Sequence, residues 1–357
     1  MSLNAKPSLP RLMFYKGLAE TLSAESKSAE ESLSLCNNIA EELRSPLETG
    51  YGKLGLALFQ TFWVPPTPEQ DEQTTRLCDE AIDTARLHDD LWLHAMSLNT
   101  LARNAILHGD SNRLNLYANL LLTLAEATGD PLPRQFALLR LSSVAANGGD
   151  PEDAIAKADT AKSLAISPLD HLMADASKGV ALTSANRGSE AYDILMPLHQ
   201  HAIENRHSEL RAIIDLSLGA SMVIKGELSR GVRWIEATRR TFVAWNYVTG
   251  IALCHLVLGE GNLRLLDGRI RPPLATILKN LGFLLRRRPF ARANAARHLK
   301  QAEIMFRDFG APSWLSWVLA DQAELFRING DSDREKMKRA EAEDVISGAA
   351  VYSSLRE

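Results

Sequence analysis

Residues 135–161 read QFALLRLSSVAANGGDPEDAIAKADTA. An apolar run ends at Asn147-Gly148-Gly149-Asp150, Pro151 restarts the chain, and a second run carries Ala154, Ala158 and Ala161. Apolar residues at helical spacing on both sides of a Gly-rich break predict a helix, a tight turn and an antiparallel helix. The stretch has relatives along the chain. A Leu/Val-small pair stands just ahead of the turn at Leu101-Ala102, Leu141-Ser142, Val180-Ala181 and Leu218-Gly219, with Gly109, Gly149, Gly188 and Gly226 seven residues after the small member. Similar pairs occur at Leu18-Ala19, Leu54-Gly55 and Leu258-Gly259, and Ala323 precedes Gly330 by seven. A small residue lets two helices approach to about 8 Å, and the glycine supplies the left-handed conformation that ends a helix.

Most steps between the small residues are 36 to 40 residues, with one of 47 and one of 64. A period in this range with this content predicts an all-α solenoid. About eight helix pairs are expected over 1–357, as a single domain. The 47-residue step is explained by Pro65-Pro66-Thr67-Pro68, since proline removes a donor that a helix interior needs. The 64-residue step is explained by an insertion at about 267–290 inside the seventh pair. Pro197 is expected to bend the second helix of the fifth pair.

Composition narrows the function classes. Hydrophobic residues make up 45% and charged residues 24%, ordinary for a water-soluble protein. No apolar run approaches the ~18 residues of a membrane span. Three distant cysteines, Cys36, Cys78 and Cys254, fit buried thiols in a reducing compartment, so a cytoplasmic location is expected. The chain enters its first repeat with no polar capping helix, which fits a piece of a longer protein. Net charge is −4, but residues 221–310 hold 16 Lys/Arg against 6 Asp/Glu, a local +10 that leaves −14 elsewhere.

The turn-and-alanine pattern of Leu141, Ser142, Gly149, Asp150, Ala154 and Ala161 resembles a degenerate tetratricopeptide repeat, with a step longer than the usual ~34. The insertion RPPLATILKNLGFLLRR and the following stretch from His298 to Asp331 resemble the C-terminal repeat region of bacterial signalling proteins that join a class III nucleotide cyclase to an ATPase module. Large ATP-binding regulators of the LuxR type carry similar repeats. The resemblance implies a right-handed superhelix, a regulatory or scaffolding role without enzyme activity, and an attached cyclase or ATPase module that this chain lacks. There is no G-x-x-x-x-G-K-[ST].

The cluster His199, His201 and His207 does not place its ligands on one helix face, so no metal is expected. The glycine spots recur at the repeat period and read as helix terminators. No G-x-S-x-G elbow is present. No cofactor is expected. The basic set Arg269, Arg271, Lys279, Arg286, Arg287, Arg288, Arg292 and Arg297 reads as a solvated face or a dock for an acidic partner. A nucleic-acid-binding regulator using this region is the alternative. The inner surface of the superhelix is the expected binding surface for a protein or peptide segment. In the repeat register the inward set is Asn99, Arg103, Asn147, Asp175, Lys178 and Asn186, whose cations favour an acidic or C-terminal segment.

Overall fold

The computed structural model describes residues 8–266 and 274–354. All secondary structure among them is helical. The first pair is α1 (Leu9–Leu22) with α2 (Ser26–Glu42), and the second α3 (Pro46–Trp63) with α4 (Pro68–Leu87). Then come α5 (Leu91–Leu107) with α6 (Ser111–Thr128), and α7 (Pro131–Asn147) with α8 (Pro151–Ser163). The fifth pair is α9 (Pro168–Ser184) with α10 (Gly188–Glu204), and the sixth α11 (Ser208–Ile224) with α12 (Leu228–Ala244). In the seventh, α13 (Val248–Leu266) is separated from α16 (Ala291–Asp308) by two short helices, α14 (Leu274–Lys279) and α15 (Leu281–Arg287), and a 3-10 turn (Arg288–Phe290). The eighth pair is α17 (Pro312–Ile328) with α18 (Ser332–Ser354).

Local chemistry starts the helices where the sequence breaks. Asp90, Asp110, Asp130 and Asp150, twenty residues apart, are N-caps whose side chains accept from the backbone N–H of Leu93, Arg113, Leu132 and Asp153. Each cap is worth about 1 kcal/mol over alanine. Pro46, Pro68, Pro131, Pro151, Pro168 and Pro312 occupy the first turn, where a missing N–H costs nothing. Pro197 sits inside α10, which nevertheless runs unbroken from Gly188 to Glu204.

The expected turn glycines are left-handed at Gly109, Gly149, Gly226 and Gly330. Gly188 departs from that expectation. The left-handed residue there is Asn186, and Gly188 opens α10, where a Cβ would stand 2.7 Å from Ile224. The small residues act as expected, through close approach. A Cβ on Gly259 would fall 2.6 Å from Leu299, across the α13–α16 contact, so α13 and α16 could not pack as they do around a larger residue.

Each helix packs on its chain neighbours, and first helices also touch the first helices of adjacent pairs, α1 on α3 through to α13 on α17. The result is an all-α solenoid with an inner layer of first helices. The core runs along the array as successive clusters. One is built on Phe14, Leu54 and Leu93, a middle one on Leu182, Leu195 and Ile214, and a last one on Leu299, Phe306 and Val318.

Two features tie the C-terminal end together. Glu303 is 4% exposed and accepts from Lys300 Nζ and Gln322 Nε2, both at 3.0 Å, from Arg307 Nη2 at 3.0 Å and from Lys338 Nζ at 3.3 Å. One carboxylate thus joins α16, α17 and α18, and these donors hold its pKa down at about 2 against the opposing effect of burial. The second feature is a seam across the array. The Trp314 indole N–H donates to the Ile106 carbonyl at 3.2 Å, 208 residues away. Gly109 lies against the same indole, Gly310 lies beside Pro68, and α18 reaches α6. The eighth pair therefore rests on the third.

Candidate functional site

The inner layer between α3, α5 and α7 gathers polar side chains from three pairs. On α5, Asn99 and Arg103 are one turn apart. Asn99 Oδ1 accepts from Arg140 Nε of α7 at 2.9 Å, and the Arg103 guanidinium lies 3.6 Å from the centroid of Phe62 on α3. Nearer the N-terminus, Tyr51 donates to Asp90 at 2.9 Å, Trp92 stacks on the Tyr51 ring at 5.6 Å, and the Arg11 guanidinium lies over the Tyr51 ring, 3.3 Å from its centroid. Arg11 also pairs with Glu48 at 3.1 Å. Aromatic rings and guanidinium groups thus alternate along the first helices.

The other expected inward residues lie elsewhere. Asp175 and Lys178 turn from α9 to the second helix α8, where Lys162 Nζ meets Asp175 at 2.7 Å and Lys178 Nζ meets Asp159 at 2.7 Å. They line a groove of about 530 Å³ formed by α8, α9 and α10, with Asp193, Pro197 and His201 opposite. That groove opens on the side of the second helices. The inward register fails here because it was carried from α5 by turn spacing, and α9 ends two residues earlier relative to Gly188 than that spacing assumes. Asn147 and Asn186 are exposed at helix ends, and Asn186 has φ +59°, so its first role is to turn the chain.

Of the basic set, Arg269 and Arg271 lie outside the described residues. Arg287 bonds Glu236 Oε1 through both terminal nitrogens at 3.2 Å, and Lys279 comes within 4.0 Å of Glu227. Arg286, Arg288, Arg292 and Arg297 are exposed. Asn280, buried, donates to the Gly226 carbonyl at 2.8 Å and pins the insertion to the α11–α12 turn. Leu274, Leu278, Leu281 and Leu285 face away into solvent.

The histidines divide. His199 is buried, and its Nδ1 lies 2.6 Å from Asp215, which also pairs with Arg211. His201 and His207 meet edge to face at 5.9 Å. Among the described residues no group of three or more His, Cys, Asp or Glu is arranged to hold a metal ion. Sequence reading missed a second pair. His255 on α13 and His298 on α16 approach to 3.0 Å between their Nδ1 atoms. Burial first, then Arg239 and Arg297, push His255 down to about 4; burial, His255 and the arginines Arg297, Arg287 and Arg239 do the same to His298. The two are 43 residues apart, and no local pattern marks them.

At the far end of the inner layer, burial and then Glu260 push the Asp321 carboxyl up to about 7, with Arg264 opposing. The folded state therefore holds this proton more tightly than the unfolded chain, whose Asp titrates near ~3.9. Stability falls as pH rises from about 4 to about 7. Asp321→Asn is expected to stabilise the protein by about 1–3 kcal/mol at pH 8, after allowance for partial solvent screening, and to have no such effect near pH 4. Urea titrations at both pH values check this; a gain that does not depend on pH would place its origin elsewhere.

No family model matches the sequence, and no curated protein matches it. The fold is similar to a solved one, the crystal structure of a Rap protein complexed with competence and sporulation factor. The TM-score is 0.58 at 10% identity, covering 96% of this chain and 98% of that one. The likeness is one of fold and supports an all-α helical-repeat architecture. No helix among the described residues is long and apolar enough to cross a membrane.

Proposed function

We propose that the chain is a non-catalytic regulatory module that holds an acidic peptide segment of a protein partner along its inner layer. The carrying observation is the Arg103–Asn99–Arg140 group on α5 and α7, set beside aromatic rings. Guanidinium groups bind carboxylates bidentately, and asparagine matches a peptide backbone with both a donor and an acceptor. The fold of the Rap protein, seen in complex with competence and sporulation factor, supports a binding role for such an array. The setting is a bacterial signalling protein in which the module regulates an attached cyclase or ATPase.

The test is fluorescence anisotropy with a library of acidic and neutral peptides, followed by the Arg103→Ala/Arg140→Ala variant. Acidic peptides are expected to bind preferentially, and the variant to weaken their binding by about 1–3 kcal/mol, the size of charge-assisted hydrogen bonds, while remaining folded by its melting curve. Equal affinity for both variants would remove the site from this face. A salt-dependent shift on DNA that disappears with Arg286, Arg288 and Arg292 replaced by alanine would favour the nucleic-acid reading instead.

A further inference from the structure

The outer side of the seventh pair carries a concentration of cations that the inner-layer reading leaves unused. Three elements meet at the His255–His298 contact: α12 with Glu236 and Arg239, α13 with His255, and α16 with Arg297 and His298. The insertion adds a fourth, α15 with Arg287. Three guanidinium groups face one carboxylate, and Glu236 is already taken by both nitrogens of Arg287. The Nε–H of Arg239, withdrawn from solvent, has no hydrogen-bond acceptor. The local balance is therefore two unneutralised positive charges and at least one unused buried donor. Leaving a buried donor unpaired costs about 1–3 kcal/mol.

The tautomers follow from the neighbours. Arg297 Nη2 lies 3.5 Å from His298 Nε2, and a guanidinium only donates, so that nitrogen accepts. His298 then carries its proton on Nδ1 and donates it to His255 Nδ1 at 3.0 Å. His255 is left with its N–H on Nε2, a further donor with no acceptor assigned to it within the pair. Each ring is kept neutral by its surroundings, but a dianion beside them would reverse that. It would offset the arginines and favour the charged imidazoles.

We propose that Arg239, Arg297, His255 and His298, with Arg287 beside them, form a binding site for a phosphate group where α12, α13 and α16 meet. A dianionic tetrahedral group matches the two excess charges and accepts from several donors at once. Inorganic phosphate and the phosphate ester of a small metabolite share this chemistry. The site is independent of the inner-layer peptide and could be filled in its presence.

The experiment is calorimetric titration of the full chain with inorganic phosphate, with glucose 6-phosphate and with sulfate. Sulfate stays a dianion across the histidine range, so any tightening of its binding at lower pH comes from the imidazoles. Saturable binding is expected, and for sulfate it should be about tenfold tighter near pH 5 than near pH 7.5, since one added proton per site changes affinity tenfold per pH unit at most; phosphate and its ester are compared at about pH 7.5, where they are largely dianions. Arg297→Gln, at an exposed position, should leave the melting temperature unchanged and weaken binding at least about tenfold, as loss of one charge-assisted contact does. His298→Gln should flatten the pH dependence while binding persists. Tighter binding of the ester than of inorganic phosphate would identify a metabolite site, and the reverse an ion site. Absence of saturation by all three anions would overturn the proposal. So would binding that is indifferent to Arg297→Gln and Arg239→Gln.

Discussion

Trp314→Ala is expected to lower stability by about 2–4 kcal/mol and to enlarge the molecule in solution. Truncating a packed aromatic residue costs about 3–5 kcal/mol when it is fully buried. Trp314 is partly buried, which sets the lower range. Its ring stacks on Phe306 at 6.2 Å, meets Trp317 edge to face at 5.0 Å and donates to Ile106 across the seam. Removing it deletes the hydrogen bond that joins the eighth pair to the third. Gly109→Ala attacks the same seam from the other side. Its φ is +62° and its new Cβ would stand 2.8 Å from the Trp314 ring, so it is expected to be destabilising by about 1–3 kcal/mol. Denaturant titration reads the first effect and small-angle scattering the second. An unchanged radius of gyration with unchanged stability in Trp314→Ala would mean that the ends are held by something other than this contact.

Glu303→Gln is the second large effect. The carboxylate is surrounded by three cations and an amide, and the glutamine keeps the shape while removing the charge. Breaking a buried ionic network typically costs about 3–5 kcal/mol; because Lys300 and Arg307 are half-exposed and can rehydrate, about 2–3 kcal/mol is expected at neutral pH. The pH dependence is diagnostic. Glu303 has its folded pKa lowered to about 2, so its contribution is fully present above the unfolded value near ~4.3 and is lost as pH falls toward 2. Wild type and variant should therefore converge in stability between about pH 4.3 and pH 2. A constant difference down to pH 2 would show that packing, not charge, is responsible.

The repeat was legible because its determinants are local. Asp110 and Asp150 cap helices within their own turn, Gly109 and Gly149 end helices through their own φ, and Pro151 selects a first-turn position from its own ring. Such features are printed in the sequence at the place where they act. The candidate site was less so. Asn99 and Arg103 do reach the layer of first helices, but their partners, Arg140 and Phe62, come from two other pairs. Asp175 and Lys178 show why register alone is insufficient: a shift of two residues at the end of α9, where Asn186 rather than Gly188 takes the left-handed turn, points them at α8. His255 and His298 were invisible for the same reason as the Trp314–Ile106 contact. Each depends on two segments that only the three-dimensional array brings together.

The seam also bears on the order in which the molecule is assembled. An array whose pairs touch only their neighbours can nucleate at any pair and spread both ways. A contact spanning 208 residues cannot form until the intervening pairs are in place, because the chain between must first be ordered. The Trp314 contact is thus expected to form late, once the intervening pairs are ordered. Interactions absent from the transition state slow unfolding without hastening folding. On that order the last pair is expected to act as a latch: it adds little to how quickly the protein reaches its native form, and much to how long it stays there.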